Sequence, residues 1–121
     1  MIWGIGVDLV HLDRFERFTR DHAARLPEMF TEGERRRPAF LAEAFALKEA
    51  ALKAIGGLTG WELDWREIEA GAAGRVRLSG SVARHARRLG VARVHGSAMR
   101  EAGAVIATAI AETARRDKKR R

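Results

Sequence analysis

The stretch 39–55 contains no glycine and only the proline just before it, and it repeats Leu41, Ala44, Phe45, Leu52 and Ile55 at three- and four-residue intervals. It is rich in Ala, Leu, Glu and Lys, the residues most favourable in a helix. Gly56-Gly57 then stops it, as glycine commonly stops helices. Any fold open to this chain must be built around one long helix.

The remaining elements are shorter. Residues 2–9 alternate loosely through Ile2, Ile5, Val7 and Leu9 and read as a strand carrying Gly4 and Gly6. Leu12, Phe15 and Phe18 fall at helical spacing over 11–19, and a second helical piece is expected over 23–30. Thr31 with Glu34 three residues later forms a capping-box pattern for a short helix through Arg37, and Pro38 suits the first turn of the long helix. Residues 58–65 read as loop. Residues 66–70 and 75–78 read as strands joined by Gly71-Ala72-Ala73-Gly74, with Ser81 capping a helix over 82–89 that Gly90 ends. Two strands, 91–97 and 103–111, complete the pattern; the last is alanine-rich, and strand is favoured over helix. The order implies an α+β fold, with helices on one side of a small antiparallel sheet.

A chain of 121 residues supports one core, so residues 1–114 are expected to form a single domain. The basic run 115–121 lacks apolar residues and is expected to be a solvated, disordered tail. There is no cysteine, which excludes disulfides and thiolate metal sites. Met1-Ile2-Trp3-Gly4 shows no basic leader, and no apolar run approaches bilayer length, so no membrane association is expected and the expected location is the cytoplasm. The net charge of +7 favours anionic partners. Trp3, Trp61 and Trp65 are too scattered for a base-stacking platform, which argues against specific nucleic-acid binding.

Two places carry possible chemistry. Glu49 and Lys53 lie four apart on the strongest helix, either as an exposed pair contributing about 0.2–0.5 kcal/mol or as part of a site. Asp8 is an unfavourable strand residue that either caps a local turn or binds a ligand. Magnesium is usually held by one or two carboxylates together with phosphate oxygens and water. Asp8 and Glu49 would make such a pair, with Lys53 toward the phosphates and nearby glycines admitting close backbone approach.

Ile5-Gly6-Val7-Asp8-Leu9, with Arg14 and Phe15 beyond, resembles the N-terminal signature of the holo-acyl-carrier-protein synthase family, the small phosphopantetheinyl transferases. Residues 45–56 resemble its second signature: Phe45, then Lys48-Glu49-Ala50, then Lys53-Ala54 and Gly56. Similarity continues through Trp65, Glu67, Ile68, Glu69, Leu78, Gly80, Val94, His95 and Ser97. The resemblance implies the 4'-phosphopantetheinyl transferase fold and transfer of the pantetheine arm of coenzyme A to a serine of an acidic acyl carrier protein. It also implies magnesium, and a trimer with sites at subunit interfaces. By the same resemblance Asp8, Glu49 and Lys53 are catalytic, Asp8 and Glu49 as metal ligands. Lys48, Lys53, Gly56, Gly57 and Ser97 would bind coenzyme A, and Arg14 the coenzyme or the carrier. Arg100, at a departure from the family pattern, is expected either to bind a coenzyme phosphate through its guanidinium or to be a solvated loop arginine.

The chain also departs from the family pattern. Ser97-Ala98 is followed by Met99-Arg100, where relatives usually place a second hydroxyl and a histidine. The usual Gly-Thr-Gly after the long helix reads Gly56-Gly57-Leu58. Both departures touch the expected surroundings of the coenzyme's nucleotide half.

Overall fold

The computed structural model describes residues 1–57 and 63–114. Strand β1 (Ile2–His11) runs into helix α1 (Leu12–Asp21), followed by α2 (Leu26–Met29) and α3 (Glu32–Arg35). A turn of 3-10 helix at Pro38–Phe40 leads into the long helix α4 (Leu41–Ala54). Then come β2 (Ile68–Ala70), β3 (Val76–Leu78), α5 (Gly80–Arg88), β4 (Val91–Glu101) and β5 (Ala104–Thr113). The expected loop at 58–65 is described only from Leu63 onward; residues 58–62, with Trp61, and the basic tail 115–121 lie outside the described residues.

The strands divide into two sheets. β1, β5 and β4 form an antiparallel sheet in that order, while β2 and β3 form a separate hairpin tied to it by the Arg75–His95 bridge. The alanine-rich last segment is a strand because its buried and open residues alternate. Val105, Ala107, Ala109 and Ala111 are buried, whereas Ile106, Thr108 and Ile110 between them are partly open. β4 runs four residues further than expected and β5 begins one residue later, leaving a two-residue turn in which Ala102 and Gly103 have φ of 50° and 77°. Two positive φ values are what a tight primed hairpin turn needs.

Helix α4 packs across the β1 and β5 side of this sheet, and small residues set the distance. A Cβ on Gly6 would run into the Ala50 carbonyl oxygen, and one on Gly4 into that of Ala54. The glycines in β1 are therefore required by a helix lying in backbone contact with the strand. Ala46, Ala50, Ala51 and Ala54 of α4 are wholly buried, so this helix is enclosed on most sides rather than amphipathic.

Two local expectations have different outcomes. Thr31 and Glu34 do form the capping box, with both reciprocal hydrogen bonds present. Ser81 does not cap α5, which begins at Gly80 after Ser79. Instead the Ser81 backbone N–H and hydroxyl donate to the Glu67 carboxylate at 3.0 and 2.6 Å. An anion brought from another element satisfies the helix start, and a charge there is favoured by the helix dipole.

Candidate active site

The packing of β1 on α4 explains how residues 41 positions apart in the sequence meet. Gly4 lies against Ala54 and Gly6 against Ala50, so strand and helix run in opposite directions. Two strand residues advance about 6.6 Å, and four helix residues about 6 Å, so the two elements stay in step. The next inward residue of β1 after Gly6 is Asp8, which falls beside the preceding turn of α4, where Glu49 projects. Lys53 completes the group: its ammonium donates to Asp8 Oδ1 and to the Val7 carbonyl oxygen, both at 3.1 Å.

Asp8 and Glu49 line one cleft of about 370 Å³, together with His11, Arg14, Phe15 and Phe45. Burial in this partly apolar cleft raises the Glu49 carboxyl above its ordinary range, the Asp8 charge raises it further, and Lys53 opposes both. Two acids facing one cavity, one of them resisting ionisation, form a site that a cation would relieve. Among the described residues no group of three or more His, Asp or Glu side chains is placed to hold a metal alone. A pair of carboxylates suits a hard cation whose other ligands are phosphate oxygens and water.

The remaining expected residues separate. Arg14 is exposed at the rim of the same cleft. Gly56 and Gly57, with φ of 83° and 71°, sit just beyond α4 and do not line it. Their N–H groups donate to Lys53 O at 3.0 Å and Leu52 O at 2.8 Å, which closes the helix, and Gly56 lies against the Trp3 ring. Ser97 lines a second cleft, of about 400 Å³, with Phe40, Glu43, Gly74 and Ala98.

Arg100 departs from both expected roles. It belongs to β4, and its guanidinium grips Glu43 through two bonds of 2.6 and 2.9 Å and donates to the Ala39 carbonyl at 2.8 Å. Within one chain it clamps β4 to the start of α4 instead of standing open to a phosphate. Lys48 is a plainer correction. Its side chain is wholly buried, and its ammonium pairs with the buried Glu34 carboxylate at 2.7 Å. A ligand cannot reach it, because helical geometry turns residue 48 about 100° away from Glu49 and into the core. Glu34 itself escaped the sequence reading, since the capping box already accounted for its type and position.

A family model described as the 4'-phosphopantetheinyl transferase superfamily matches residues 4–109. Holo-[acyl-carrier-protein] synthase of Cutibacterium acnes is 42% identical over 116 residues, covering 93% of this chain and 99% of the relative. The chain belongs to the holo-[acyl-carrier-protein] synthase family of that superfamily. Among solved members, the synthase of Neisseria meningitidis superposes with a TM-score of 0.73 at 27% identity, covering 93% of this chain and all of the other (100%). An ACPS–CoA complex from Chronobacterium ammoniagenes gives a TM-score of 0.73 at 26% identity, covering 93% and 98%. The synthase fold thus extends through both signatures and both clefts. Among its described residues, no helix is long and apolar enough to cross a membrane.

Proposed function

We propose that this protein transfers the 4'-phosphopantetheine group of coenzyme A to a serine of an apo acyl carrier protein. The observation that carries this reading is the meeting of Asp8 and Glu49 at one cleft, with Lys53 hydrogen-bonded to Asp8, in a chain of this family. The serine oxygen attacks the phosphorus bearing the pantetheine arm, that phosphorus releases its bridging oxygen, and adenosine 3',5'-bisphosphate departs with the electron pair. The serine proton passes to a carboxylate or to a water that a carboxylate holds.

Asp8 and Glu49 would hold magnesium, which when bound supplies positive charge where negative charge grows on the transferring phosphate. Lys53 is poised to exchange its contact with Asp8 for a phosphate oxygen, since its side chain is half exposed while Asp8 is largely covered. Arg14 at the rim suits the acidic carrier, and complementary charge acts mainly on encounter rate and orientation. The cytoplasm is the proposed place of action.

The sheet face turned away from α4 supports assembly. Ile5, Val7, Leu9 and Met99 are 58%, 53%, 52% and 56% exposed. Register aligns them in rows across the three strands: Ile5–Ile110–His95, Val7–Thr108–Ser97 and Leu9–Ile106–Met99. A largely apolar face of this kind marks an interface. Copies meeting there would form the proposed trimer. Incubation with coenzyme A, magnesium and several apo carriers, followed by intact mass measurement, tests the activity. A carrier gaining the arm is expected; carriers that bind but never gain it would overturn the reading.

A further inference from the structure

The Glu34–Lys48 pair is the most deeply buried polar feature among the described residues, and nothing in the proposed chemistry uses it. Both side chains are wholly covered. The Glu34 carboxylate accepts from Lys48 Nζ at 2.7 Å, from the Thr31 N–H at 2.8 Å and from the Ala70 N–H at 2.8 Å. One carboxylate therefore ties together the start of α3, the middle of α4 and the end of β2. A buried ion pair is weak evidence for stability, because desolvating two charges offsets most of their attraction. Well-packed apolar residues of similar volume often do as well or better. Retaining such a pair calls for something other than stability.

Its position suggests what. Lys48 precedes Glu49 on α4, so any rotation or slide of the helix that moves one moves the other. The Lys48 ammonium also lies 5.2 Å from the centre of the Phe30 ring. Phe30 stands 6.4 Å from Phe15, edge to face, and 6.4 Å from Phe45, and those two rings lie 5.6 Å apart. Phe15 and Phe45 line the cleft with Asp8 and Glu49. The pair thus stands directly behind the aromatic wall of the site and fixes the rotation of the helix that presents its acid.

We infer that Glu34 and Lys48 are positioning residues that hold the Glu49 carboxylate and the Phe15–Phe45 wall in place for cation binding. This rests on the reading of Asp8 and Glu49 given above. Directional hydrogen bonds specify one rotation of α4, whereas an apolar contact of the same volume tolerates several. Partners that orient a metal's ligands typically change affinity or activity by about 10–100-fold when removed.

The test replaces both charges together, in Glu34→Gln/Lys48→Met, so that no uncompensated charge stays buried. A second variant, Lys48→Arg, keeps the ion pair but shifts its geometry. Each is followed by thermal unfolding, by Mn²⁺ titration read from the electron paramagnetic resonance of the free ion, and by steady-state transfer kinetics. The double variant is expected to unfold in one cooperative transition, at a lower temperature than wild type, because the single oxygen of the new amide serves only one of the Thr31 and Ala70 N–H groups. Its Mn²⁺ affinity should fall about 10-fold, and its kcat by a similar factor, with the carrier KM unchanged. Lys48→Arg should lose less of both. Either variant, folded, with wild-type Mn²⁺ affinity and turnover overturns the inference. A wild-type protein that binds no Mn²⁺ overturns instead the metal reading beneath it.

Discussion

The Lys53 ammonium lies 3.1 Å from Asp8 Oδ1, across 45 residues of chain, and in the same reach donates to the Val7 carbonyl. This contact ties the end of α4 to β1 at the point where the strand passes from glycine to acid. It is partly exposed, so it contributes at most about 1 kcal/mol to stability. Its larger consequence is electrostatic: a cation is held beside the two carboxylates before any substrate arrives.

Replacing that cation separates the two effects. Lys53→Met should leave the melting temperature within about 2–3 °C of wild type, as expected for loss of an exposed pair. Transfer should fall about 100-fold or more, the usual cost of losing one group that stabilises transition-state charge. Thermal unfolding and carrier mass measurement check both; a variant with full turnover removes Lys53 from the chemistry.

Glu49 gives a test of opposite sign. Its carboxyl is raised in the folded protein, chiefly by burial and then by Asp8, so ionisation destabilises the fold. For an acid shifted upward, stability is lost as pH rises from the unfolded value through the folded one. Glu49→Gln should therefore abolish transfer while melting above wild type at pH 7 and level with it well below pH 4. Magnesium should stabilise the wild type and leave the variant unmoved. Melting curves with and without the ion, at both pH values, decide it.

The Arg100–Glu43 clamp has the reverse pH dependence. Hydrogen bonding to Arg100 holds the Glu43 carboxyl below its ordinary value of 4.5. A lowered acid contributes stability above the unfolded value, and that contribution disappears as pH falls through the folded one. Arg100→Ala should cost about 1 kcal/mol at pH 7, in line with a partly exposed charged pair. The difference from wild type should shrink below the lowered Glu43 value to what the bond to the Ala39 carbonyl contributes. Urea unfolding at several pH values measures it.

Gly6→Ala tests the packing that builds the site. The new methyl would collide with the Ala50 carbonyl oxygen, which is backbone and cannot swing aside. Overpacking of this kind typically costs about 1–3 kcal/mol. Because α4 must move off β1, activity should fall further than stability, which unfolding and transfer assays on the same sample would show.

The apolar sheet face predicts an assembly. Val7→Lys should shift the protein to a smaller species in sedimentation and lower transfer together with it, since a buried unpaired charge disfavours the interface. Unchanged sedimentation would show that another surface brings the copies together.

Much of this architecture is local in origin. The length of α4 follows from an uninterrupted run of helix formers between Pro38 and Gly56, and the capping box follows from Thr31 and Glu34. The alternation of β5 is likewise carried by residue type, with Val105 and alanines inward and Ile106, Thr108 and Ile110 between them. The pairing of Asp8 with Glu49 was legible only with the family signatures. Spacing along one helix, or position on one strand, says nothing about which other element lies opposite.

Periodicity fixes the angle between Lys48 and Glu49 around α4, so the sequence alone determined that they point different ways. Which of them faces the cleft and which enters the core was decided only in three dimensions. A lysine is buried here because a carboxylate 14 residues earlier meets its ammonium, and that carboxylate is anchored by an N–H 36 residues later. Arg100 is likewise engaged by Glu43, 57 residues away. Burying a charge is favourable only with its partner in place, and partners brought by distant segments leave no local pattern to read.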